Sequence, residues 1–153
     1  MGELRHAKVV GLNAHLHFWD MRHRAVGMRI LFLGDVVGRA GRAAILNQLS
    51  DLRQAWKLDF VVVNAENATS GAGLNAAHAK AILEAGADCI TLGDHAFDQK
   101  DMMTFIESEP RIVRPLNYAK SAPGRGARIF SDTRGAQNLG CASFGAGLYE
   151  TPL

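Results

Sequence analysis

The stretch FVVVNAEN at residues 60–67 is a run of apolar residues that ends in a polar Asn-Ala-Glu-Asn sequence. A short apolar run bounded by turn-forming residues is typical of a strand buried on both faces of a parallel sheet. Two other runs have the same design, RILFL at 29–33 and CITL at 89–92, and each is followed by a glycine and an aspartate. The three runs therefore predict three parallel strands.

Segments with helical spacing fill the gaps between these strands. Apolar residues recur on one stripe over 41–56, and an Asn cap opens an alanine-rich helix over 75–85 that Gly86 can close. A third helical pattern after Asp98 stops at Pro110. The order β-α-β-α-β-α predicts an α/β fold with right-handed crossovers and a parallel sheet covered by helices.

The composition of the chain is that of an ordinary globular protein. It has 153 residues, of which 48% are hydrophobic and 21% charged, with a formal net charge of +2. So small a charge favours neither nucleic-acid nor membrane binding, and no apolar run is long enough to cross a membrane. The two cysteines lie far apart in sequence, and Cys89 is interpreted as a small buried hydrophobe. Without a disulfide framework, a cytoplasmic location is expected.

The two ends of the chain do not share the pattern of the middle. Residues 1–27 contain four of the six histidines and lack the apolar core of a signal peptide, so we predict a non-native extension before a natural start at Met28. Residues 135–153 lack clear periodicity, and a one-nucleotide shift could restore a strand-like sequence, so we hypothesise a frameshifted, aberrant tail. The domain is then expected over 28–134.

Polar side chains follow each of the three predicted strands. Asp35 follows the first, Glu66 and Asn67 follow the second, and Asp94 and His95 follow the third. Because the carboxyl ends of parallel strands share one edge, three carboxylates should converge there. Like charges at close range are unfavourable unless a cation neutralises them. One aspartate after a strand is usually a turn or cap residue, but three acidic strand ends in succession predict a metal site, of a kind that suits two metals.

The loop GDVVGRAG at 34–41 resembles a phosphate-binding loop only superficially. Its glycines are not spaced as in a dinucleotide-binding loop, and no Gly-Lys-Ser/Thr sequence is present. Arg39 and Arg42 nearby could meet a phosphate, although an exposed arginine is the ordinary alternative. The glycines are better explained by a tight turn beside the metal site.

Four motifs occur in a specific order between residues 28 and 130: MRILFLGDVVGRAGR, VVVNAENATSGAGL, ITLGDHAFDQK and RPLNYAKSAPGRG. Together they resemble the YmdB-type metallophosphoesterases, relatives of the calcineurin-like phosphoesterases that act as 2',3'-cyclic-nucleotide 2'-phosphodiesterases. The resemblance implies a four-layer αββα sandwich, here truncated to its β-α-β-α-β-α first half. It also implies two divalent or trivalent metal ions, iron or manganese, and a small-molecule phosphodiester substrate.

The resemblance also implies a role for each polar residue at the strand ends. Asp35 would bind the first metal, Glu66 would bridge both, and Asn67 would bind a metal or orient the phosphate. Asp94 stands where the family usually has an Asn that binds the second metal. His95 matches the histidine thought to protonate the leaving oxygen after a metal-activated hydroxide attacks phosphorus.

The sequence departs from the family pattern in two ways. Asp94 adds a negative charge that should favour a harder or more highly charged metal. The family's remaining ligands are histidines in a second half, whereas no histidine follows His95 in this chain, so the residues named cannot complete two coordination spheres. The alternatives are a non-catalytic fragment and a nucleotide-binding α/β module; a homo-oligomer is left open. Asp98 could orient His95 or cap the next helix, and the cap is favoured.

Overall fold

A computed structural model describes residues 4–7, 16–20, 28–131, 138–143 and 145. Its main sheet has six strands in chain order: β1 (Leu4–Ala7), β2 (Leu16–Asp20), β3 (Arg29–Leu33), β4 (Phe60–Asn64), β5 (Cys89–Thr91) and β6 (Ile112–Val113). Strands β3 to β6 are parallel, whereas β1 and β2 pair antiparallel. The predicted α/β fold with a central parallel sheet is therefore confirmed, with β6 as a strand that the sequence pattern did not predict.

Three helices connect the parallel strands. They are α1 (Gly38–Trp56), α2 (Ala76–Glu84) and α3 (Met102–Ser108). Helix α2 begins as predicted, because the Asn75 side chain accepts a hydrogen bond from the backbone N–H of His78 at 2.8 Å. The predicted cap at Asp98 is wrong: α3 begins at Met102, with Asp101 in the cap position.

The apolar stripes of two helices are narrower than the sequence pattern predicts. In α1, Ile45 and Leu49 are buried, whereas Leu46 is 45% exposed. In α3, Met102 is fully buried and Met103 is 47% exposed. Adjacent residues on a helix point about 100° apart, so only one member of each pair can face the sheet.

Strands β4, β5 and β6 of the main sheet are covered on both faces. On one face, Val61 and Val63 of β4 pack in the larger core cluster, together with buried residues of all three helices. On the other face, Phe60 and Val62 belong to a smaller cluster that includes Phe130. Burial of β4, β5 and β6 on both faces explains why their sequences are continuous apolar runs, whereas β3 leaves Phe32 39% exposed.

The second face is covered by a small antiparallel sheet of β7 (Ala127–Ser131) and β8 (Asn138–Ala142). Phe130 packs edge-on against Phe60, with ring centroids 5.4 Å apart. Ile129, the residue before Phe130 on β7, points the other way and is 72% exposed. The described residues thus form three layers: helices, the main sheet and the small sheet.

Both ends of the chain contain regular structure that the sequence did not predict. Strands β1 and β2 lie within the predicted extension 1–27, and β8 lies within the predicted aberrant tail 135–153. Strand β8 is defined by its pairing with β7 rather than by an apolar pattern of its own. Residues 1–3, 8–15, 21–27, 132–137, 144 and 146–153 lie outside the described residues. The start at Met28 and the frameshift stay predictions.

Candidate active site at the strand ends

The loops that follow β3, β4 and β5 are held together by backbone hydrogen bonds. The amide of Val36 donates to the carbonyl of Asn64 at 3.0 Å, and the amide of Gly38 donates to that of Asn67 at 2.9 Å. The amide of Ala65 donates to the carbonyl of Thr91 at 3.1 Å. These bonds bring the polar residues of three strand ends to one edge of the sheet, as the parallel topology requires.

The first two strand ends are joined through side chains. The Nδ2 amide of Asn67 donates to Oδ1 of Asp35 at 2.8 Å. Asp35 has a φ of 47°, in the left-handed region, which aspartate tolerates better than most residues and which is enriched at functional sites. The chain therefore holds the exposed Asp35 carboxylate in a strained turn, next to the amide predicted to share its site.

The second and third strand ends meet at Glu66 and Gly93. The Glu66 carboxylate lies directly against the Gly93 backbone, so a Cβ added at Gly93 would be only 1.9 Å from Oε2. Gly93 precedes Asp94 in the chain. The absence of a side chain at this position is what lets the Glu66 carboxylate approach the loop after β5.

Asp94 lies against the loop that follows β6. Its backbone carbonyl accepts a hydrogen bond from the Tyr118 hydroxyl at 3.0 Å, and its Oδ1 would lie 2.6 Å from a Cβ added at Gly145. Asn117 exchanges two hydrogen bonds with the Gly145 backbone, at 2.9 and 3.3 Å. The third strand end is thus packed against residues near the end of the described chain.

A buried arginine organises that loop. Arg114 is 6% exposed, and its guanidinium donates to the carbonyls of Pro115, Ala119, Ala122 and Pro123. The sequence analysis quoted the motif RPLNYAKSAPGRG but assigned no role to Arg114, Asn117 or Tyr118. The signal was an arginine next to a proline-rich, glycine-rich loop, whose carbonyl groups need donors once they are buried.

His95 is paired with Asp98. Its Nδ1 lies 2.6 Å from Oδ2 of Asp98, and both side chains are close to half exposed. The less favoured interpretation of Asp98, as the residue that orients His95, is therefore the one observed. With the proton on Nδ1 donated to Asp98, Nε2 is left facing away from this bond.

The predicted convergence of three carboxylates is only partly observed. Asp35 lies with Asn67 and Glu66 lies with Gly93, but no group of three His, Cys, Asp or Glu residues in the described ranges is close enough to hold a metal ion. The donors are nevertheless all oxygen atoms, which suits hard cations such as Mn²⁺. In addition, the buried Oδ1 of Asn64, at the end of β4, has no hydrogen-bond partner.

Neighbouring polar residues form hydrogen bonds with the loop after β4. The guanidinium of Arg42 donates to the carbonyl of Ala68, whereas Arg39 is exposed. Nδ1 of His78 lies 2.8 Å from Oγ1 of Thr69. Burial, and then the positive charge of Arg42, lower the pKa of His78. Arg42 and His78 therefore support the loop that carries Glu66 and Asn67.

An α/β sheet whose strand ends carry acidic, amide and histidine side chains defines the class of protein: a parallel α/β fold with its candidate site outside the carboxyl edge of the sheet. A family model described as "YmdB-like protein" matches residues 31–145. The chain belongs to this family.

Curated relatives of this chain have names that describe phosphoester chemistry. The chain is 41% identical over 99 residues to a 2',3'-cyclic-nucleotide 2'-phosphodiesterase of Bacillus subtilis (strain 168), a match covering 65% of this chain and 38% of that protein. It is 40% identical over 107 residues to a putative phosphatase/phosphodiesterase of Mycoplasma pneumoniae, covering 67% of this chain and 38% of that protein. The chain spans well under half the length of these relatives.

Solved structures agree with the fold. A hypothetical protein from Thermus thermophilus superposes with a TM-score of 0.72 at 37% identity, covering 82% of this chain and 48% of that one. A phosphatase from Mycoplasma pneumoniae gives a TM-score of 0.63 at 40% identity, covering 68% of this chain and 38% of that one. Within the described residues, no helix is both long and apolar enough to span a membrane.

Proposed function

We propose that this chain is a metal-dependent phosphodiesterase that hydrolyses 2',3'-cyclic nucleotides, with its site at the ends of β3, β4 and β5. The observation that carries the proposal is the His95–Asp98 hydrogen bond of 2.6 Å, located one residue beyond the third acidic strand end. An imidazole held by a carboxylate is the arrangement expected of a proton donor. The name of the Bacillus subtilis relative supplies the substrate class, and that of the Mycoplasma pneumoniae relative supports phosphoester chemistry.

Four oxygen-bearing residues are the proposed metal ligands: Asp35, Glu66, Asn67 and Asp94. When bound there, two iron or manganese ions would activate water and neutralise charge on the phosphate. Glu66 is suited to a bridging role because Gly93 leaves its carboxylate room next to the third strand end. The four residues form an incomplete set, and further ligands would have to come from outside them.

His95 is the proposed general acid. Asp98 accepts a hydrogen bond from Nδ1–H and fixes the imidazole, so that a proton on Nε2 can be transferred to the ribose 2'-oxygen as the bond from phosphorus to that oxygen breaks. Water supplies the new oxygen on phosphorus, and the product is the 3'-monophosphate. A cytoplasmic location and the possibility of a homo-oligomer stay part of this proposal.

The proposal is tested by incubating the purified chain with 2',3'-cyclic AMP and Mn²⁺ and separating the products by chromatography. We expect 3'-AMP as the product, and a rate lowered about 10²–10⁴-fold in His95→Ala. Asp98→Asn should reduce the rate less, because it keeps the imidazole but weakens its orientation. Met103→Ala, a truncation at a half-exposed position of α3, is the control.

Three outcomes separate the alternatives. Manganese binding without hydrolysis indicates a non-catalytic fragment, and mononucleotide binding that survives a chelator indicates a nucleotide-binding α/β module. Hydrolysis that is unchanged in His95→Ala contradicts the assigned role of His95.

A further inference from the structure

Two cysteines from different sheets meet between the layers. Cys89 begins β5 of the main sheet and Cys141 lies on β8 of the small sheet, 52 residues apart in sequence. The Cys89 thiol is directed at the sulfur of Cys141, with 3.3 Å between the two Sγ atoms. Both are free thiols in the structure. In a disulfide the two sulfurs are about 2.05 Å apart. Rotation of the two side chains can close the difference between the two distances.

The two thiols differ in their access to solvent. Cys89 is fully buried, whereas Cys141 is partly exposed and lines a surface groove on the small sheet. The other residues lining this groove are Ala127, Arg128, Ile129, Gly140 and Ala142. A small reagent can therefore reach Cys141 directly, whereas Cys89 is closed to solvent.

The more exposed thiol, Cys141, is also the more acidic of the two. The hydrogen bond from the Cys89 thiol lowers the pKa of Cys141 by stabilising its thiolate. The same hydrogen bond, and then burial, raise the pKa of Cys89. Because the thiolate is the nucleophile in disulfide exchange, Cys141 is the residue expected to react first.

We propose that Cys89 and Cys141 form a reversible disulfide that joins the two sheets, with Cys141 as the reacting thiol and a low-molecular-weight disulfide as the oxidant. The Cys141 thiolate attacks one sulfur of the oxidant and releases the other half as a thiolate. Cys89 then loses its proton and attacks Cys141 in this mixed disulfide, releasing the second half. Two protein thiols are oxidised and one small disulfide is reduced to two thiols.

The bridge would connect to the candidate active site through a short path. Two residues beyond Cys141, the Ser143 hydroxyl donates to the carbonyl of Leu92 at 2.5 Å. Two residues further, Gly145 lies against the Asp94 carboxylate. A covalent bond at Cys89 would therefore fix the small sheet against the strand end that carries Asp94. The bridge itself does not depend on the proposed function.

The bridge is tested on the full chain in buffers of reduced and oxidised glutathione, followed by alkylation, mass spectrometry and non-reducing peptide mapping. In oxidised glutathione we expect the chain to lose two hydrogen atoms, to yield one Cys89–Cys141 peptide pair and to melt at a higher temperature. Chains that keep both thiols alkylatable, or that cross-link only between molecules, would overturn the proposal.

Single substitutions test the order of the steps. Cys89→Ser should stop at a mixed disulfide between glutathione and Cys141, because the resolving thiol is gone. Cys141→Ser should stay unmodified, because Cys89 is buried. If Cys141→Ser is instead modified at Cys89 as fast as Cys89→Ser is at Cys141, the assignment of Cys141 as the reacting thiol is wrong. The wild-type experiment decides the bridge even if a variant folds poorly.

Discussion

Replacing Gly93 by alanine should move the Glu66 carboxylate without unfolding the chain. The added Cβ would lie 1.9 Å from Oε2, whereas an ordinary contact begins at 3.4 Å, so the carboxylate must retreat by about 1.5 Å. A group misplaced by about 1 Å can cost a reaction about 100-fold. We therefore expect Gly93→Ala to weaken Mn²⁺ binding at least about 10-fold and to slow hydrolysis about 100-fold.

The same substitution should leave stability almost unchanged. The φ of Gly93 lies outside the left-handed region, so alanine is tolerated by the backbone, and the group it meets is the end of a flexible side chain. Loss of unfolded-state freedom contributes about 0.4–1 kcal/mol in favour of the folded variant. The free energy of unfolding should therefore stay within about 1 kcal/mol of wild type.

Isothermal titration with Mn²⁺ and urea denaturation measure the two quantities. Gly140→Ala is the matched control, because a Cβ at Gly140 meets nothing within 4 Å and its φ also lies outside the left-handed region. Wild-type metal affinity and activity in Gly93→Ala would refute the role assigned to the Glu66–Gly93 contact. A loss of several kcal/mol of stability would instead show that the added Cβ displaces the surrounding backbone and not only the Glu66 side chain.

Three further predictions concern the supports of the site and its core. Arg114→Met should lower the free energy of unfolding by about 2–4 kcal/mol, since it removes the guanidinium that donates to four loop carbonyls; a loss below about 1 kcal/mol in urea denaturation would argue against this. Because the pKa of His78 lies below its usual 6.5 in the folded chain, the unfolded chain takes up the proton first, and stability should fall as the pH drops below about 6.5. His78→Gln should make that fall shallower between pH 7 and pH 5, and an unchanged slope would contradict the assignment. Ile82→Ala, at a fully buried position, should cost about 2–5 kcal/mol, whereas Leu46→Ala on the exposed side of α1 should cost less than about 0.5 kcal/mol; equal thermal shifts would contradict the observed packing.

The central strands were predictable because burial on both faces leaves a continuous apolar run. Residues 60–63 are such a run. The parallel topology alone then predicts that the acidic residues at the strand ends lie at one edge of the sheet. Strand β7 was not predictable in the same way, since Ile129 is exposed and Phe130 is inward, and the strand exists through its pairing with β8. Pairing with a neighbouring strand leaves no periodic signal of its own in either segment.

The side-chain pairings were harder to predict than the backbone. Whether Asp98 caps α3 or orients His95 depends on where α3 begins. Helix boundaries are set by tertiary contacts as much as by local residues. The contact between Cys89 and Cys141 depends on how two sheets stack, so their separation in sequence concealed it. The Glu66–Gly93 contact joins two neighbouring strand ends. The sequence predicts that both ends lie at one edge of the sheet, but it does not predict which of their atoms touch.

The central claim is that the ends of β3, β4 and β5 hold catalytic metal. The most direct test is anomalous diffraction at the manganese edge from crystals of the full chain grown with Mn²⁺. We predict anomalous density within coordination distance of Asp35, Glu66 and Asn67 or Asp94, about 2.0–2.2 Å from their oxygen atoms. Crystals that bind manganese elsewhere, or nowhere, while this edge of the sheet stays free of anomalous density would contradict the claim.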